Sequence, residues 1–506
     1  MPRLPASAAL TAVLALALAA CGSQLDPDEV AGATGGSGET VNSAGEAVPG
    51  TTTGGDTTTA GGTTTAGGAP AGGGSTTSGT TGGSTGGTGG GTGGTTGGSG
   101  GGTTGGGGGG GKGDQSDDDN SANGGGKGAS CDGFQNGPGI TDSEITIGNV
   151  ADVSGPVPGL FQSSQDAVKA YVAYFNATSD ICGRKLNLIT YDSRTDAGAD
   201  QQAYTKACAE TFATVGSMGA FDSGGAATTA SCGLPDIRSA AVTKDRNSCA
   251  TCFPAQSTNT GEWENAPGEF IKQNYPDAAA HAAVLYTNAG AAAENGPASA
   301  RAMAKQGLTF DVVQGIDVSE FNFAPYAQQL KDKGVKAVFW TGPYQYSVRL
   351  AQAFQQVGYE PDVYLRDPTD YIPDYVSSGG DAVDKTVVFL NFVPFEEADS
   401  NKEMQLYLSW LQQVSPGADP SFFGVFSWSA ARLFVEKATE LGGKLSRQTL
   451  VDALSKTDNW TANELTAPQH VGSKRTGDCW RFIQLNGGAW QPVGGSKYLC
   501  AGTNQG

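Results

Sequence analysis

Residues 144–176 read EITIGNVADVSGPVPGLFQSSQDAVKAYVAYFN. The first seven residues form an apolar, β-branched run that predicts a buried strand, and residues 160–176 carry apolar side chains at helical spacing. A Ser-Gly-Pro loop at 154–156 joins the two elements. Ligands of open parallel sheets bind at the carboxyl ends of strands, so this loop is a candidate wall of a ligand site. By itself it fits a nucleotide site, a hydrolase and a binding protein equally well, and a tight connection without any ligand is the alternative.

The alternation of strand and helix continues along the chain. Further strands are predicted at 185–191, 215–221, 281–287, 308–314, 335–341 and 362–366, with helical patterns at 199–213, 261–275, 325–334 and 347–358. Strand–helix alternation with short connections predicts an α/β fold with parallel sheets. CWRFIQLNGGAWQPV (479–493) predicts a terminal hairpin. Because the segment is too long for one ordinary core, the two series predict two lobes.

The N-terminal segment, MPRLPASAALTAVLALALAACGSQ (1–24), is typical of an exported bacterial protein. Arg3 precedes an apolar run that has the length of a signal-peptide core and is too short for a comfortable membrane span. The run ends in Leu18-Ala19-Ala20-Cys21, which resembles a lipobox. We therefore expect a signal peptide at 1–20 and a lipid on Cys21, which would anchor an extracytoplasmic protein to the cell membrane. The alternative is an ordinary signal peptide cut near Ala20.

Residues 21–130 are rich in glycine, threonine and serine and predict a disordered tether. They contain almost no apolar side chains, so burial cannot offset the entropy lost on ordering the chain. A segment of this composition behaves as a flexible coil. The folded part is therefore expected at 131–506.

The acidic balance of the chain argues against one class of partner. The formal net charge is −20 at pH 7. Nucleic-acid binding requires a basic face that neutralises phosphates, so we expect no nucleic-acid partner.

Cysteine usage agrees with export. If Cys21 carries lipid, eight of the nine cysteines remain, and an even number in an exported chain predicts disulfides. Proximity of predicted elements pairs Cys208 with Cys232 and Cys479 with Cys500. The Cys249-Ala-Thr-Cys252 motif has no second CxxC or HxxxH pair at zinc-like spacing and no thioredoxin-like surroundings.

The residues do not favour catalysis. The chain has only two histidines, His281 and His470, and neither lies in a GxSxG, HExxH or similar frame. The glycine-rich tract contains no Walker motif, and GGAATTASCG (224–233) has no recognisable base to activate a nucleophile. We therefore expect no enzyme, no cofactor and no metal site.

Three segments carry a resemblance to a known family. ITDSEITIGNVADVSGPVPG (140–159), ICGRKLNLITYDSRTDAGADQQAYTKA (181–207) and VFWTGPYQYSVRLAQAFQQVGY (338–359) resemble the leucine/isoleucine/valine-binding-protein family of bacterial ABC importers. The resemblance covers roughly residues 140–495. It implies the type 1 periplasmic binding protein fold, with two lobes joined by three crossing segments near 254–260, 389–395 and 470–478. Lobe one would then be about 140–255 and 393–472, and lobe two about 258–390 and 478–495.

The resemblance also implies a set of site residues. In the amino-acid binders of the family, hydroxyls and backbone N–H groups of the first lobe hold the ligand carboxylate, while aromatics and an acid of the second lobe hold its ammonium and side chain. Carried over by position, these residues are Ser154, Asp222, Ser223 and Thr243 in lobe one and Tyr344 and Asp367 in lobe two, with Phe161 as a wall of the pocket.

Each of these residues has a structural alternative. Asp222 or Ser223 could cap the following helix, and Asp370 fits the position of the acid as well as Asp367 does. Asp222 also departs from the small hydroxyl residue that the family often places there, and a carboxylate would repel a ligand carboxylate. Trp340 and Tyr346 could simply pack inside lobe two, whereas Tyr344 follows Gly-Pro in a loop.

The functional hypothesis is an extracytoplasmic solute-binding lipoprotein that captures a small polar ligand, amino-acid or amide-like, and delivers it to an ABC permease. We expect it to act as a monomer. The alternatives are a ligand-sensing surface receptor on the same fold and a structural surface protein with an empty cleft.

Overall fold

A computed structural model describes residues 129–506. The predicted signal peptide (1–20), the lipidation site Cys21 and residues 21–128 of the predicted tether lie outside the described residues. The chain of the described part passes through two sheets in three stages, and each stage follows from the apolar pattern of its strands and helices.

The first stage builds a five-stranded parallel sheet in the order β2-β1-β3-β4-β5. Strand β1, between β2 and β3, is buried over most of its length because it is largely apolar on both faces, as parallel strands covered by helices are. The strands are β1 (Glu144–Ala151), β2 (Lys185–Asp192), β3 (Ala213–Val215), β4 (Asp236–Arg238) and β5 (Cys252–Pro254). The helices between them are α1 (Gln162–Thr178), α2 (Ala197–Glu210), α3 (Ala226–Ser231) and α4 (Lys244–Ser248).

The second stage builds the larger sheet. Its parallel strands lie in the order β11-β10-β9-β7-β8. The strands of this stage are β6 (Trp263–Glu264), β7 (Ala282–Thr287), β8 (Phe310–Ile316), β9 (Ala337–Thr341), β10 (Val363–Arg366) and β11 (Val387–Leu390). The helices are α5 (Ala266–Asn274), α6 (Gly290–Lys305), α7 (Ala324–Asp332), α8 (Tyr344–Val357) and α9 (Pro373–Gly379).

In the third stage the chain returns to the first sheet and then rejoins the second. Helices α10 (Lys402–Val414), α11 (Phe422–Leu441) and α12 (Arg447–Leu454) complete the first lobe. Strands β12 (Cys479–Asn486), β13 (Ala489–Val493) and β14 (Leu499–Cys500) add to the second sheet in antiparallel fashion, and β15 (Thr503–Asn504) pairs with β6. The predicted hairpin at 479–493 is thus formed by β12 and β13. Below, lobe one means the first sheet with α1–α4 and α10–α12, and lobe two means the second sheet with α5–α9.

Three crossing segments join the lobes and bond to one another. The segment after β5 and the one before β12 are tied by the backbone amides of Ser257, which donates to Gln469 Oε1 (2.8 Å), and Asn259, which donates to Thr476 Oγ1 (3.0 Å). The segment after β11 pairs with the third through Ala467 N, which donates to the carbonyl of Asn391 at 2.8 Å. Paired crossing strands can bend together while keeping their register, which suits a hinge.

Each lobe has its own core. Lobe one is centred on α11, which packs on α1 through Tyr171 and Trp428, whose ring centroids are 4.8 Å apart. Lobe two has apolar cores on both faces of its sheet, one under α7, α8 and α9 and the other under α5 and α6. The predicted α/β fold with two lobes and three crossing segments is confirmed.

Four disulfides are present among the described residues. Cys208–Cys232 and Cys479–Cys500 are the two pairs expected from the sequence. Cys131 bonds to Cys182, and the two cysteines of the CxxC motif, Cys249 and Cys252, bond to each other. These thiols are therefore not available as metal ligands in this state.

Two elements differ from the sequence prediction. The strand expected at 215–221 ends at Val215, because the residues after it turn into the loop that meets lobe two. The helix expected at 261–275 begins only at Ala266, since Trp263 and Glu264 are held as a strand by the C-terminal β15. Pairing with a segment some 240 residues away in sequence overrides the local helical pattern there.

Candidate functional site

A cleft of about 870 Å³ lies between the lobes. Loops that follow the carboxyl ends of β1, β3 and β4 line it from lobe one, and those that follow β7, β9 and β10 line it from lobe two. Residues 256–260 of the first crossing segment also line it. Its position at the carboxyl ends of two parallel sheets is where the topology of open α/β sheets places a ligand.

Two hydrogen bonds from α6 join the lobes at the cleft. Asn295 Nδ2 on α6 donates to the carbonyl of Val242 at 3.1 Å, and the backbone amide of Ala291 donates to the carbonyl of Ala220 at 2.9 Å. Both acceptors are on lobe-one loops that line the cleft. The beginning of α6 is therefore one element through which lobe two contacts lobe one, and it does so at the cleft.

The Ser-Gly-Pro loop is organised by two aspartates. Asp152 accepts from Ser193 Oγ (2.6 Å), from Thr195 N and from Ala220 N (both 2.8 Å), which ties three loops of lobe one together. Burial raises the pKa of Asp152. At the end of β2, Asp192 accepts the hydroxyl of Ser154.

Ser154 consequently lies outside the lining of the cleft. Its hydroxyl donates to Asp192 at 2.5 Å, so it is already satisfied. The close approach expected at Gly155 is made to the backbone carbonyl of Arg194, which a Cβ at this position would overlap. The part of the loop that does line the cleft is the apolar stretch from Pro156 to Phe161.

Asp222, Ser223 and Thr243 also lie outside the lining of the cleft. Thr243 Oγ1 donates to Asp222 at 2.6 Å, and Asp222 further accepts from the amide of Val242 and pairs with Arg238 at 3.4 Å. This carboxylate is fully buried inside lobe one, so it supports the loop from behind. It does not cap α3 either, because Gly225 occupies the N-cap position of that helix.

Three of the predicted site residues do line the cleft. Phe161 is buried and packs edge-on against Phe423 with ring centroids 4.7 Å apart, so it forms an apolar wall. Tyr344 faces the cleft from lobe two, and its hydroxyl donates to Asp374 at 3.3 Å. Burial and the charge of Asp374 raise the pKa of Tyr344.

Asp367 is the third, and the structure separates it from Asp370. Asp367 lines the cleft and accepts the amide of Thr369 at 2.9 Å. Asp370 is fully buried, where it pairs with Arg366 and accepts from Ser347 Oγ at 2.6 Å. The register left open by the sequence is thus resolved in favour of Asp367 as the acid that faces the cleft.

The cleft extends into lobe two as an apolar chamber that sequence analysis missed. The part of the cleft that is lined by Met303 of α6 and by the sheet residues Phe339, Leu365, Phe389 and Trp480 is called the chamber below. Four of these five side chains are at most 6% exposed and belong to the core between the sheet and helices α5 and α6. The apolar runs of β9 to β12 predicted a buried sheet face, and nothing in them showed that a cavity reaches it.

Polar atoms without partners lie at the lobe-two wall of the cleft. Thr287 at the end of β7 and Trp340 on β9 are 5% and 2% exposed, and neither Thr287 Oγ1 nor Trp340 Nε1 has a hydrogen-bond partner within the protein. Both lie close to Gly342, since a Cβ on that glycine would overlap Thr287 Oγ1 and come within 3.2 Å of Trp340 Nε1. Trp340 was expected from the sequence only as a residue that could pack inside lobe two, and Thr287 was not expected at the site, although both lie at the ends of predicted strands.

Among residues 129–506, no lysine, arginine or histidine lines the cleft. Its charged lining is acidic and includes Glu264 and Asp367 from lobe two. Burial raises the pKa of Glu264 to about 7, and the negative charge of Asp367 adds to the effect. His281 and His470 bond to Asp311 and Asp458 outside the cleft.

Two further properties concern the described residues as a whole. None of the helices between residues 129 and 506 is long and apolar enough to cross a bilayer. The same residues contain no group of three or more metal-ligating acidic, cysteine or histidine side chains.

Comparison with solved structures shows the same architecture in solute-binding proteins. A fatty acid ABC transporter substrate-binding protein from Thermomonospora curvata superposes with a TM-score of 0.63 at 17% identity over 73% of this chain and 96% of its own. A branched chain amino acid ABC transporter protein from Thermus thermophilus with bound valine gives a TM-score of 0.61 at 16% identity over 72% of this chain and 98% of its own. A solute binding protein from R. palustris in complex with 4-hydroxybenzoate gives a TM-score of 0.58 at 15% identity over 72% of this chain and 97% of its own.

A comparison with curated proteins finds no matching sequence. The model of the family described as "periplasmic binding protein", however, matches residues 144–489, which span both lobes and all three crossing segments. This family implies an extracytoplasmic location and binding of small ligands. On that match and on the observed fold, the chain belongs to the periplasmic binding protein family.

Proposed function

We propose that this protein is an extracytoplasmic solute-binding protein that captures a small molecule between its lobes and delivers it to an ABC permease. The observation that carries the proposal is the composition of the cleft wall, to which both lobes and the crossing segments contribute. A ligand that touches both lobes stabilises the closed arrangement over an open one, because its contacts exist only when the lobes meet. A permease can then distinguish loaded from empty protein by shape.

The ligand is expected to bury more apolar surface than a free amino acid does. None of the four lobe-one residues expected to hold a carboxylate lines the cleft. Ser154 donates its hydroxyl to Asp192, Thr243 donates to the buried Asp222, and Ser223 also lies outside the cleft. The walls instead present Phe161, Phe423 and the chamber. Solved structures with this fold contain ligands as different as valine and 4-hydroxybenzoate, so the fold itself accepts a range of chemistry.

The membrane anchor is a separate part of the proposal. A lipid on Cys21 would hold the protein, which we expect to be a monomer, at the membrane that contains the permease. The long tether follows Cys21 in the sequence. Metabolic labelling with a fatty-acid analogue should mark the full chain and not a Cys21→Ser variant. Equal labelling of both would place the lipid elsewhere or exclude it.

The binding proposal can be tested while the ligand is still unidentified. Full-length protein is purified under native conditions and denatured, and the released small molecule is identified by mass spectrometry. Rebinding is then measured by calorimetry for the wild type and for two variants that fill the cleft, Val157→Trp from lobe one and Ala289→Trp from lobe two. Both residues line the cleft and neither is fully buried.

An interlobe ligand touches both walls, so each variant should lose about tenfold or more in affinity. The matched control is Val313→Trp, at an exposed position of β8 that does not line the cleft. It should bind like the wild type. Unchanged binding in both cleft variants would contradict an interlobe site.

A further inference from the structure

The apolar chamber offers space that a small zwitterion would leave unused. Its lining residues come from four adjacent strands, β9 to β12, and from α6, so the chamber reaches beneath the sheet and not only along its edge. An apolar cavity lined in this way gains binding free energy in proportion to the hydrocarbon surface it takes from water. A ligand that uses it has a hydrocarbon chain or ring.

The unpaired polar atoms at the wall specify the other end of the ligand. An indole N–H can only donate, so Trp340 Nε1 requires an acceptor, and Thr287 Oγ1 can donate to the same group. A buried donor without a partner costs free energy that a ligand acceptor would recover. Both atoms lie so close to Gly342 that a Cβ on this residue would overlap Thr287 Oγ1, and all three residues line the cleft. An oxygen acceptor of a ligand in the cleft would supply the missing partner.

The charges of the cleft set a third requirement. A ligand carboxylate would enter a cleft that has acidic side chains and no basic one among the described residues. Moving an unpaired anion out of water into such surroundings is costly. A cation would be favoured by Glu264 and Asp367 but would leave the Trp340 donor unpaired and would place its charge beside an apolar chamber.

We propose that the ligand is an uncharged amphiphile, with a hydrocarbon chain or ring in the chamber and a carbonyl or hydroxyl oxygen that accepts from Trp340 and Thr287. This inference rests on the proposed function, because it assumes that the cleft is a ligand site. It narrows the substrate to one chemical class, which includes long-chain amides, alcohols and ketones. Free fatty acids, amines and amino acids fall outside that class.

The elevated pKa of Glu264 supports the same conclusion. Near neutral pH its carboxyl is protonated in a substantial fraction of molecules, because burial raises the pKa to about 7. A protonated carboxyl carries no charge and can donate to an uncharged oxygen. A protonated Glu264 thus adds a donor and no charge to the lobe-two wall of the cleft.

The test uses full-length protein freed of bound ligand and the uncharged fluorescent probe N-phenyl-1-naphthylamine. Binding of the probe in the chamber should raise its fluorescence. Octanamide, octanoate and octylamine then compete for it, so that chain length is constant and only the head group changes. Octanamide should displace the probe at a concentration about tenfold lower than either charged analogue.

Other outcomes of this competition would overturn the inference. Octanoate as the strongest competitor would make the ligand a carboxylate, and octylamine as the strongest would assign the site to cations held by the two acids. Stronger displacement by isoleucine than by octanamide would indicate a small zwitterion. Absence of probe binding would show that the chamber is closed to apolar molecules.

Variants separate the head-group site from the chamber. Trp340→Phe keeps an aromatic ring and removes the N–H donor. It should therefore lower the affinity for octanamide about fivefold and leave the affinity for the probe, which has no oxygen, unchanged. Trp490→Phe, at a lobe-two tryptophan outside the cleft, is the matched control. Ser299 lines the cleft from α6, and the larger side chain of Ser299→Phe should exclude the probe. Equal octanamide affinity in Trp340→Phe and wild type would reject the assigned donor.

Failure of this inference is distinguishable from failure of the proposed function. If the co-released molecule binds between the lobes and is lost in both cleft-filling variants, the binding function stands even when octanamide does not compete. If neither variant affects that molecule, the interlobe site itself is wrong, whatever the probe does.

Discussion

Asn295 of lobe two donates its side-chain amide to the carbonyl of Val242 in lobe one, 3.1 Å away. Its other side-chain atom, Oδ1, is buried and has no partner within the protein, and the residue lines the cleft. One amide therefore contacts the opposite lobe and also faces the space where a ligand would lie. We infer that this residue couples closure of the lobes to occupation of the cleft.

We predict that Asn295→Ala shifts the protein towards an open arrangement. The change removes one of the two hydrogen bonds from α6 to lobe one and leaves the bond from Ala291 to Ala220 in place. A single hydrogen bond of about 1 kcal/mol corresponds to a roughly fivefold faster dissociation of ligand. Stopped-flow dissociation and small-angle scattering measure the rate and the closure.

The control for that experiment is Asn187→Ala, an exposed asparagine on β2. It should leave the dissociation rate unchanged. A dissociation rate of Asn295→Ala equal to that of the wild type would mean that the bond to Val242 does not contribute to closure.

Asp222 is predicted to matter for stability, because its buried carboxylate accepts two hydrogen bonds and pairs with an arginine inside lobe one. It pairs with Arg238, which also bonds Asp236, and both guanidinium and carboxylates are fully buried. Asp222→Ala leaves Arg238 with Asp236 as a partner but removes the acceptor of the Val242 amide and of the Thr243 hydroxyl, so it should lower the free energy of unfolding by about 2–3 kcal/mol. Chemical denaturation monitored by tryptophan fluorescence measures the loss.

The matched surface change is Asp332→Ala at the exposed end of α7. Its effect should stay within about 0.5 kcal/mol. If Asp222→Ala instead retained wild-type stability and lost only ligand affinity, Asp222 would be a ligand contact, as its position in the sequence predicts.

The sequence predicted the sheets well because strand periodicity is local. β1, β7 and β9 begin and end within two residues of the predicted limits. The three predicted residues that line the cleft are one near the carboxyl end of β1 and two near those of β9 and β10, where topology alone places a ligand. Family position and strand order were sufficient for these residues.

The remaining site residues depended on pairings that no local pattern contains. The hydroxyls of Ser154 and Thr243 are plausible ligand contacts in the sequence, but Asp192 and Asp222, brought by other segments, accept them. Glu264 reaches the cleft only because β15 holds it in a short strand. Long-range pairing therefore decides which polar side chains remain free for a ligand.

Gly342 is predicted to tolerate no side chain. Its φ of +147° is rarely adopted by L residues, and a Cβ would overlap Thr287 Oγ1. Gly342→Ala should therefore both destabilise lobe two and block the two unpaired donors, with a loss of ligand affinity of about tenfold or more. Thermal unfolding and calorimetry measure the two effects separately.

Gly487→Ala gives a control for backbone strain alone. This hairpin glycine also has a positive φ, of +58°, but no atom lies within 4 Å of a Cβ placed on it. It should cost about 1 kcal/mol in stability and nothing in affinity. Loss of affinity in both variants would attribute the effect to general destabilisation and not to the cleft.

The last prediction concerns Glu264 and pH. Its pKa in the folded protein, about 7, is above the ordinary value of 4.5, so the folded state binds this proton more tightly than the unfolded chain does. The resulting stability is fully present below about pH 4.5 and is lost as the pH rises through about 7. The free energy of unfolding of Glu264→Gln, whose side chain is always neutral, should equal that of the wild type near pH 4 and exceed it near pH 8 by roughly 3 kcal/mol.

The free energy of unfolding of both proteins, measured at several values between about pH 4 and pH 8, tests this difference. Other buried acids such as Asp152 are present in both proteins, so their own titrations cancel in the comparison. Glu294→Gln, at an exposed position of α6, is the control and should run parallel to the wild type. A variant that became less stable than the wild type near pH 8 would mean that the ionised carboxylate of Glu264 is stabilised in the cleft. The site would then favour a cationic ligand over an uncharged one.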